Sequence, residues 1–514
     1  MFDAYSEGSG DTGTRDFLTC DLCIVGAGIA GLNALFVATE YLPRTARVVL
    51  IDRNPRAGGM WTETYPYIRL HQPHGSFTVG DIPWNWDKPQ DYLATGAEVA
   101  AHLEHCLDQL RDKVELVELW GHEVKDRDEI VAGSGPMVRV RCQSMGPRPR
   151  SGVIQARKLI DATGLDVPRL KPLPLKSARV TSTTPQDLRL DGTGPVFVIG
   201  GGKTGMDTCL EAIRAGREVT LINGRGTVFA NRDASLPRGW RRWLSGRLVM
   251  SSFADIAMRF DGTNEDAVFD YFKKTYAIAP TAGTQFFFGF LSEAERAEIA
   301  GGLTAVHGDY LADVVDAGGT PELVLSHGGQ IPVPRGSVFV NCTGHLLTQN
   351  RAYTPYLSPQ GAILTITTRS AVHFQSSVAA YFLSHMFLLD RLRDAPLYEL
   401  DLNEVMGKGR KVWQMTTTTH AFMNALILME HLPGAVLARC GLDIDRWFPL
   451  PRRILGFLDI SLKRRRYIRR CRDVLDRVRT RLGIRCGRLP DNSVRDQGSA
   501  AVLTAPRAEA GLRN

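Results

Sequence analysis

The sequence lacks several features that would place it in a specialised class. Its 514 residues contain no long uncharged apolar run: residues 421–429 come nearest, include Asn424 and are far too short to cross a bilayer. No basic and apolar leader opens the chain, so we expect no secretory signal. The nine cysteines are odd in number and scattered, which argues against a disulfide framework. We therefore expect a cytoplasmic location.

Metal and thiol chemistry have little support in the sequence. His102 and His105 are the best-spaced pair of metal ligands, but they lie in a charged helical segment without further ligands nearby. Cys20 and Cys23 lie within an apolar strand, where residues three apart point to opposite faces. We therefore expect no metal site, and we expect buried strand cysteines in place of a redox pair.

The charge of the chain is uneven. The net charge is +7, but residues 446–488 contain fifteen basic and three acidic residues, which leaves −5 for the remainder. Apolar residues at 447–450 and 454–458 adjoin this basic cluster. The combination suits an anionic membrane surface or an acidic partner protein, and nucleic acid less well. A solvated helix that packs one face on its own domain is the remaining alternative.

A strand, a glycine turn and a helix follow one another from Phe17, and the next strand ends at Asp52. The turn holds Gly26, Gly28 and Gly31. In a dinucleotide site these glycines allow the tight turn, the approach of backbone to a pyrophosphate and close helix packing, respectively. Asp52 stands where a carboxylate accepts hydrogen bonds from ribose hydroxyls. The complete order predicts a dinucleotide site; a structural glycine turn is the alternative.

A second unit of the same kind spans residues 196–223. Its turn holds Gly200, Gly202 and Gly205, and the helix starts at Lys203 and Thr204. The strand ends at Asn223, and Arg225 follows. At this position an acidic residue would repel a 2′-phosphate, whereas an arginine pairs with one. The pattern favours NADPH over NADH. For Lys203, contact with a pyrophosphate and a solvated helix-start lysine are equal alternatives.

Three further segments identify the first ligand by resemblance. Residues 53–61 contain Gly58, Gly59 and Trp61; residues 159–164 end in Thr163 and Gly164; residues 338–344 end in Thr343 and Gly344. With the two glycine turns, this order resembles the class B flavoprotein monooxygenases, closest to the flavin-containing monooxygenases and near their Baeyer–Villiger relatives. The resemblance implies that the first ligand is FAD. A glycine turn with a core tryptophan is the alternative for the first segment.

The resemblance implies an α/β fold with two Rossmann-like domains, in which an FAD domain is split by an inserted NADPH domain, plus a helical, basic C-terminal region. The implied divisions are a disordered tail (1–16), the first part of the FAD domain (17–168), an NAD(P)H domain (169–336) with a helical insert (232–310), the second part of the FAD domain with substrate-side helices (337–440), a basic helical extension (441–490) and a second disordered tail (491–514).

The resemblance also implies a reaction. NADPH reduces FAD, and O2 then forms a C4a-(hydro)peroxyflavin that oxygenates a small organic substrate at nitrogen, sulfur or a ketone carbon. In flavin-containing monooxygenases, an asparagine after the GG-x-W segment binds near the flavin. Gln72 is the local counterpart, with His71 and Arg69 as alternates, and an ordinary polar turn before Pro73 is the competing interpretation.

One family feature is missing. The F-x-G-x-x-x-H fingerprint that precedes the second glycine turn in this family does not occur between Pro168 and Thr184. An FAD- and NAD(P)H-dependent dehydrogenase or oxidase without oxygen insertion is therefore the alternative function. A flavin-binding regulatory protein is less favoured because both nucleotide motifs are intact. A disulfide reductase is disfavoured because the remaining cysteines are isolated.

Overall fold

The computed structural model describes residues 16–132, 135–163, 169–344 and 352–489. The strands are β1 (Asp16–Val25), β2 (Arg47–Asp52), β3 (Glu115–Trp120), β4 (His122–Ala132), β5 (Gly135–Ser144), β6 (Ser151–Asp161), β7 (Thr181–Thr183), β8 (Val196–Ile199), β9 (Val219–Ile222), β10 (Thr227–Asn231), β11 (Ala277–Ile278), β12 (Gln285–Leu291), β13 (Leu303–His307), β14 (Leu311–Ala317), β15 (Thr320–Leu325), β16 (Gln330–Pro332), β17 (Val338–Asn341), β18 (Ile363–Thr365), β19 (Tyr398–Leu400) and β20 (Cys486–Arg488).

The helices are α1 (Ile29–Tyr41), α2 (Gly96–Leu110), α3 (Lys203–Arg214), α4 (Arg232–Ser235), α5 (Arg241–Leu244), α6 (Val249–Arg259), α7 (Glu265–Tyr276), α8 (Glu293–Gly302), α9 (Ser376–Leu388), α10 (Leu402–Lys408), α11 (Arg410–His431), α12 (Gly434–Ala438) and α13 (Leu450–Leu482). The tails expected at 1–16 and 491–514 lie outside the described residues, apart from Asp16, which begins β1.

The first sheet has seven strands in the order β3-β2-β1-β6-β5-β4, with β18 beside β6. Strands β3, β2, β1, β6 and β18 run parallel, whereas β4 and β5 form an antiparallel extension. The central strands are apolar and buried on both faces, as parallel strands covered by helices must be. The chain leaves this sheet after β6 and returns to it only with β18, so the first nucleotide domain is split as expected.

The inserted domain is built on a five-stranded parallel sheet in the order β13-β9-β8-β17-β7. The resemblance predicts that the chain returns to the first domain at residue 337, before β17. This boundary is wrong, because the chain returns to the first sheet only with β18. Strand β17 pairs with β7 and β8 inside the inserted sheet. The error has a physical reason: each sheet contains a buried strand that ends in a Thr-Gly pair, so the local pattern does not say which sheet the strand joins.

The segment 232–310 is mixed and not simply helical. It holds α4 to α8 as expected, but also β11, β12 and β13. The aromatic run Phe286–Phe288 lies in β12, which pairs with β10, and β13 joins the edge of the inserted sheet. Aromatic residues favour the pleated surface of a sheet, and this run follows that preference.

The C-terminal part of the chain is helical. The 22-residue helix α11 is buried over most of its length, and the 33-residue helix α13 crosses it and buries Cys471, Val474, Leu475 and Val478. These positions repeat every three or four residues, so one face of α13 packs on the body of the protein. No helix in the described parts of the chain is long and apolar enough to cross a membrane.

The prediction that Cys20 and Cys23 face opposite sides of β1 is wrong. Both side chains belong to one buried cluster, together with Cys142 of β5. Leu18 and Cys20 pack in this cluster, whereas Leu22 and Ile24 pack in a separate one, so the alternation of faces breaks between Cys20 and Leu22. All nine cysteines are nevertheless buried and unbridged.

Candidate functional site

The first glycine turn joins β1 to α1, and two of its glycines are required by the protein itself. Gly26 has φ +100°, and a Cβ there would lie 2.8 Å from the carbonyl oxygen of Ala162. A Cβ on Gly31 would lie 1.7 Å from the Gly26 carbonyl oxygen. Gly28 differs, because its nearest neighbour would be at an ordinary 3.4 Å. That neighbour is the Cα of Gly59, and Gly28 itself lines the cavity.

Asp52 braces this turn from the end of β2. Its Oδ2 accepts a hydrogen bond from the backbone N–H of Ala27 at 2.5 Å, and its Oδ1 accepts one from Asn54 at 2.7 Å. Burial raises the pKa of the carboxyl group above its ordinary range. Each carboxylate oxygen keeps a further lone pair, so Asp52 still has the capacity to accept from a ribose hydroxyl.

The Gly58-Gly59 segment lies over the first turn. The backbone N–H of Gly58 donates to the carbonyl of Ala27 at 3.0 Å. Both glycines have positive φ, and a Cβ on Gly59 would lie 2.8 Å from Gly28 Cα. Trp61 follows in a short 3-10 helix, half-buried, with its ring edge-on to Phe77 at 5.5 Å. Gly58, Gly59 and Trp61 all line the cavity beside the turn.

The strand end after β6 provides a further wall. Asp161 accepts hydrogen bonds from the backbone N–H and the hydroxyl of Thr163, at 3.2 and 2.8 Å. Arg127 of β4 pairs with the buried Asp161 at 2.5 Å and lines the same cavity. Sequence reasoning missed Arg127, because it lies in an antiparallel strand without a motif. Gly164 falls outside the described residues.

The second glycine turn, between β8 and α3, repeats this construction. A Cβ on Gly200, where φ is +115°, would lie 2.7 Å from the carbonyl oxygen of Cys342, and one on Gly205 would lie 2.0 Å from the carbonyl oxygen of Gly200. A Cβ on Gly202 would meet no protein atom within 4 Å. Gly202 is thus free of any packing requirement and faces the cavity. Its lack of a side chain fits the approach of a pyrophosphate.

The strand end after β17 matches the one after β6. Asn341 accepts hydrogen bonds from the backbone N–H and the hydroxyl of Thr343, at 3.1 and 2.6 Å, as Asp161 does from Thr163. Thr343 and Gly344 both line the cavity. The two nucleotide units are therefore built alike, both in the glycine turn and in the strand end against which that turn packs.

Lys203 is neither solvated nor free. Its ammonium group pairs with the carboxylate of Asp207, one turn along α3, and its side chain is only 14% exposed. Tyr65 donates a hydrogen bond to the same carboxylate at 2.9 Å. Lys203 and Thr204 both line the cavity at the helix N-terminus. This network links the first nucleotide domain to the second, since Tyr65 precedes the insertion and Asp207 lies within it.

Two arginines border the far end of the second nucleotide unit. Asn223 is buried at the end of β9: its Nδ2 donates to Thr281 at 2.9 Å, while its Oδ1 is buried without a partner. Arg225 is exposed and lines the cavity, as does Arg410 at the start of α11. Burial, followed by the positive charge of Arg225, lowers the pKa of the Arg410 guanidinium. Arg410 carries no local sequence signal and was not predicted.

Two other arginines near this unit are already engaged. Arg217 donates to the backbone carbonyls of Gly194 and Arg189. Arg232 pairs with Glu295 at 2.6 Å and donates to the backbone carbonyl of His71. Arg225 and Arg410 are therefore the cations of this region that face the cavity.

Both turns open into a single cavity of about 1510 Å³. A pocket for one small ligand measures about 300–1,000 Å³, so this volume exceeds the need of one such molecule. The cavity wall includes Gly26, Gly28, Asp52, Gly58, Gly59, Trp61, Thr163, Gly200, Gly202, Lys203, Thr204, Asn223, Arg225, Thr343 and Gly344. Gly31 and Gly205 lie behind the wall, in the packing positions described above.

The three residues predicted for catalysis also line the cavity, with different surroundings. Arg69 is exposed and donates to the carbonyl of Leu93 at 3.1 Å. Burial, then the charges of Lys203 and Arg232, lower the pKa of His71 to about 3, so its ring is neutral near neutral pH. Within the described chain, the Gln72 amide forms no hydrogen bond. The Gln72 amide and the neutral His71 ring each carry a donor and an acceptor, whereas the Arg69 guanidinium only donates.

An aromatic group forms another part of the wall. The rings of Phe288 and Phe374 stack at 4.2 Å, and Trp413 meets Phe288 at 5.5 Å and Phe287 at 5.8 Å. Phe288 has φ +57°, a strained conformation for a bulky residue and one that is concentrated at functional sites. Trp413 is buried, and its Nε1 lacks a partner among the described residues.

Two nucleotide turns that line one cavity, on a split α/β fold, are typical of flavin-dependent oxidoreductases with two dinucleotide domains. Residues 20–249 match the family described as "Pyridine nucleotide-disulphide oxidoreductase". The match includes both glycine turns and agrees with the fold class and the enzyme class expected from the sequence.

Curated relatives extend the comparison over more of the chain. Uncharacterized proteins from Mycobacterium tuberculosis (strain ATCC 25618 / H37Rv) and Mycobacterium bovis (strain ATCC BAA-935 / AF2122/97) are each 26% identical over 408 residues. The aligned region covers 73% of this chain and 68% of each relative. The names of these relatives assign no activity.

Solved structures include similar chains. A polycyclic ketone monooxygenase from Thermothelomyces thermophila is 14% identical, covers 85% of this chain and 86% of its own, and has a TM-score of 0.49. A flavin-containing monooxygenase from Stenotrophomonas maltophilia is 15% identical (73% and 98% covered, TM-score 0.43). A bacillithiol disulfide reductase from Staphylococcus aureus is 11% identical (73% and 99% covered, TM-score 0.43). These likenesses do not decide the activity.

The cysteines do not support disulfide chemistry. All nine are buried and unbridged. Cys342 is the one that lines the cavity, and burial raises the pKa of its thiol to about 12. A thiol must ionise to attack a disulfide, so Cys342 is a poor nucleophile.

Proposed function

We propose that the protein is an NADPH-dependent FAD monooxygenase that oxygenates a small organic substrate at nitrogen, at sulfur or at a ketone carbon. The shared cavity carries the proposal. Gly28 of the first turn, Gly202 of the second and the amide of Gln72 all face it. When bound there, the cofactors supply hydride transfer from nicotinamide to flavin and the activation of O2.

The residues of the first unit suit FAD. The N-terminus of α1 offers backbone N–H groups and the positive end of the helix dipole to the pyrophosphate. Asp52 accepts from the ribose, and Gly58 and Gly59 let the backbone lie close to the ligand. Arg127 supplies a positive charge on the same wall, next to Asp161.

The residues of the second unit suit NADPH more than NADH. Asn223 places no negative charge at the strand end, and Arg225 and Arg410 face the cavity beside it. Burial and the nearby charge of Arg225 lower the pKa of Arg410, so the two guanidinium groups repel each other. A doubly charged phosphate bound between them would be attracted to both. In this proposal the 2′-phosphate relieves their mutual repulsion.

Gln72 is proposed to hold the reacting groups in place. A neutral amide both donates and accepts, so it hydrogen-bonds the nicotinamide carboxamide or the flavin edge without carrying a charge. His71 is neutral as well, with a pKa of about 3, and is proposed as a packing neighbour and not a proton donor. Lys203 is held on Asp207, which places its charge at the start of α3 near the pyrophosphate.

The aromatic part of the wall suits an organic substrate. Phe287, Phe288 and Phe374 offer ring faces and exclude water. The unpartnered Nε1 of Trp413 is a hydrogen-bond donor, which favours a substrate with one acceptor atom on an apolar frame.

Labelled oxygen tests the proposal. The FAD-loaded protein is incubated with NADPH, isotopically labelled O2 and, in turn, a tertiary amine, a thioether and a cyclic ketone. We expect one substrate class to accelerate NADPH consumption and to yield product that carries one labelled oxygen. NADPH consumption that yields only hydrogen peroxide with every class would contradict the proposal and would favour the oxidase alternative.

A further inference from the structure

Exposed apolar side chains are concentrated at one place on the surface. Nine of the sixteen large apolar side chains that stand exposed in the described residues lie in two short segments. They are Trp240, Trp243 and Leu244 around α5, and Leu450, Ile454, Leu455, Phe457, Leu458 and Leu462 along the first half of α13. We call this set the apolar surface. Such a concentration marks an interaction site, whereas scattered exposed apolar residues are normal.

The two segments form one surface because Arg452 joins them. Its guanidinium donates to the backbone carbonyls of Arg242, Ser245 and Gly246, at 2.8, 2.6 and 2.9 Å. The indole of Trp447 donates to the carbonyl of Pro237 at 2.9 Å. The turn that carries the tryptophans is therefore fixed against the first turns of α13.

Packing among the described residues does not explain the apolar surface. On α13 the buried side chains, such as Ile460 and Cys471, face the protein. Leu450, Ile454, Leu458 and Leu462 recur every fourth residue on another face and are 61, 48, 50 and 87% exposed. A helix of a globular protein normally carries polar residues on its solvent face. The first half of α13 instead presents a second apolar face to the outside.

Cations without carboxylate partners border this surface. Some basic residues of α13 are neutralised, since Lys463 pairs with Asp459 and Arg464 with Glu430. Arg465, Arg466 and Arg469 are exposed, and the described chain offers none of them an ion pair. Arg241, beside Trp240, is exposed in the same way. The surface thus combines an apolar centre with unpaired positive charge at its border.

We propose that the apolar surface docks the protein on an anionic lipid bilayer, with the first half of α13 lying in the plane of the interface. Apolar side chains that enter the acyl boundary, tryptophans at headgroup level and arginines on anionic headgroups are the elements of such binding. A second copy of the chain would bring two strongly basic segments together, which disfavours self-association. Nucleic acid would use the arginines but not the nine apolar side chains.

Vesicle sedimentation tests the proposal with the full FAD-loaded chain. The vesicles are phosphatidylcholine alone or phosphatidylcholine mixed with phosphatidylserine. The variant pair is Leu455→Glu with Leu462→Glu, two exposed sites where a charge leaves the core untouched. The matched control is Val131→Glu, which is 81% exposed on the β4–β5 hairpin, far from this surface in the sequence.

We expect the wild-type chain to sediment with phosphatidylserine vesicles and to bind phosphatidylcholine alone at least about tenfold more weakly. The double variant should lose at least about tenfold in partitioning, while the control keeps it. Arg465→Gln with Arg469→Gln should weaken binding in the same direction without placing charge in the apolar centre. Circular dichroism confirms that each variant is folded.

Three results would overturn the proposal. One is no sedimentation of the wild-type chain with phosphatidylserine vesicles. Another is vesicle binding that the leucine and arginine variants leave unchanged. The third is a concentration-dependent dimer in analytical ultracentrifugation that the leucine variants dissociate while lipid binding is absent, since a second copy would then occupy the surface. None of these outcomes depends on the oxygenation chemistry, so this inference and the proposed function fail independently.

Discussion

Tyr65 donates a hydrogen bond of 2.9 Å to the carboxylate of Asp207, and that carboxylate also pairs with Lys203. The bond joins the two nucleotide domains beneath the cavity. Burial raises the pKa of both partners, so the hydroxyl keeps its proton and remains a donor. The contact therefore fixes the position of the second glycine turn relative to the first.

The replacement Tyr65→Phe should destabilise the protein, because it leaves one oxygen of a buried carboxylate without its donor. We expect a loss of about 1.5–3 kcal/mol in the free energy of unfolding, measured by urea denaturation. Tyr67→Phe is the matched control: its hydroxyl meets the neutral hydroxyl of Thr208 at 2.9 Å, and its loss should cost only about 0.5–1.5 kcal/mol. Equal losses for the two variants would contradict the charge-assisted role of Tyr65.

The glycines of the second turn should respond differently to alanine. Gly202→Ala fits the fold, since φ is −77° and the new methyl group meets no protein atom, so the melting temperature should stay within a few degrees. NADPH affinity should nevertheless fall, because the methyl group occupies the path of the pyrophosphate. Gly200→Ala should destabilise by more than about 2 kcal/mol, given φ of +115° and a contact of 2.7 Å. Unchanged NADPH affinity in Gly202→Ala would show that the pyrophosphate does not bind at this turn.

Arg225 and Arg410 should govern the choice between NADPH and NADH. Arg225→Gln and Arg410→Gln should each raise the Kd for NADPH by about tenfold or more, the value of one charge-assisted hydrogen bond. The Kd for NADH should change little, as NADH has no 2′-phosphate. Arg296→Gln, a surface residue of α8 paired with Glu293, is the control. Parallel losses for both nucleotides would show that the arginines do not read the 2′-phosphate.

His71 should not titrate in the working range of the enzyme. Its pKa is lowered from 6.5 to about 3, so the unfolded chain binds more protons than the folded chain between these values. The stability contribution of His71 is then present above pH 6.5 and is lost as the pH falls toward 3. Flavin reduction by wild type and by His71→Gln should show profiles of the same shape between about pH 5.5 and 8. An inflection near pH 6–7 that disappears in the variant would contradict a neutral His71.

The glycine turns are predictable from the sequence because their requirement is local. Backbone atoms, either a few residues away or at an adjoining strand end, leave no room for a side chain at Gly26, Gly31, Gly200 or Gly205. These constraints fix the spacing of the glycines along the chain, and that spacing can be recognised in the sequence. The position of Asp52 at the next strand end is readable for the same reason.

Residues supplied by distant segments are not predictable in this way. Arg127 reaches the cavity from an antiparallel strand. Arg410 and Trp413 reach it from α11, which follows both glycine turns by a long stretch of chain. Nothing in their local sequence distinguishes them from surface or core residues. Their roles depend on helix packing and sheet pairing, which periodicity does not encode.

Local patterns also misassigned two features for physical reasons. Strand β17 carries the same strand and Thr-Gly pattern as β6, so only its pairing with β7 and β8 places it in the second sheet. The alternation of faces along β1 breaks between Cys20 and Leu22, which brings Cys20 and Cys23 into one cluster. In both cases the three-dimensional structure decides what the one-dimensional pattern leaves open.

Anaerobic rapid mixing of the FAD-loaded protein with NADPH tests most directly whether two nucleotides meet in the one cavity. We predict that the flavin absorbance bleaches at a rate that saturates with NADPH, and that NADH requires a higher concentration to reach half-saturation. Flavin that stays oxidised in the presence of either nucleotide would contradict the account, because the second turn would then not deliver a hydride donor to the first.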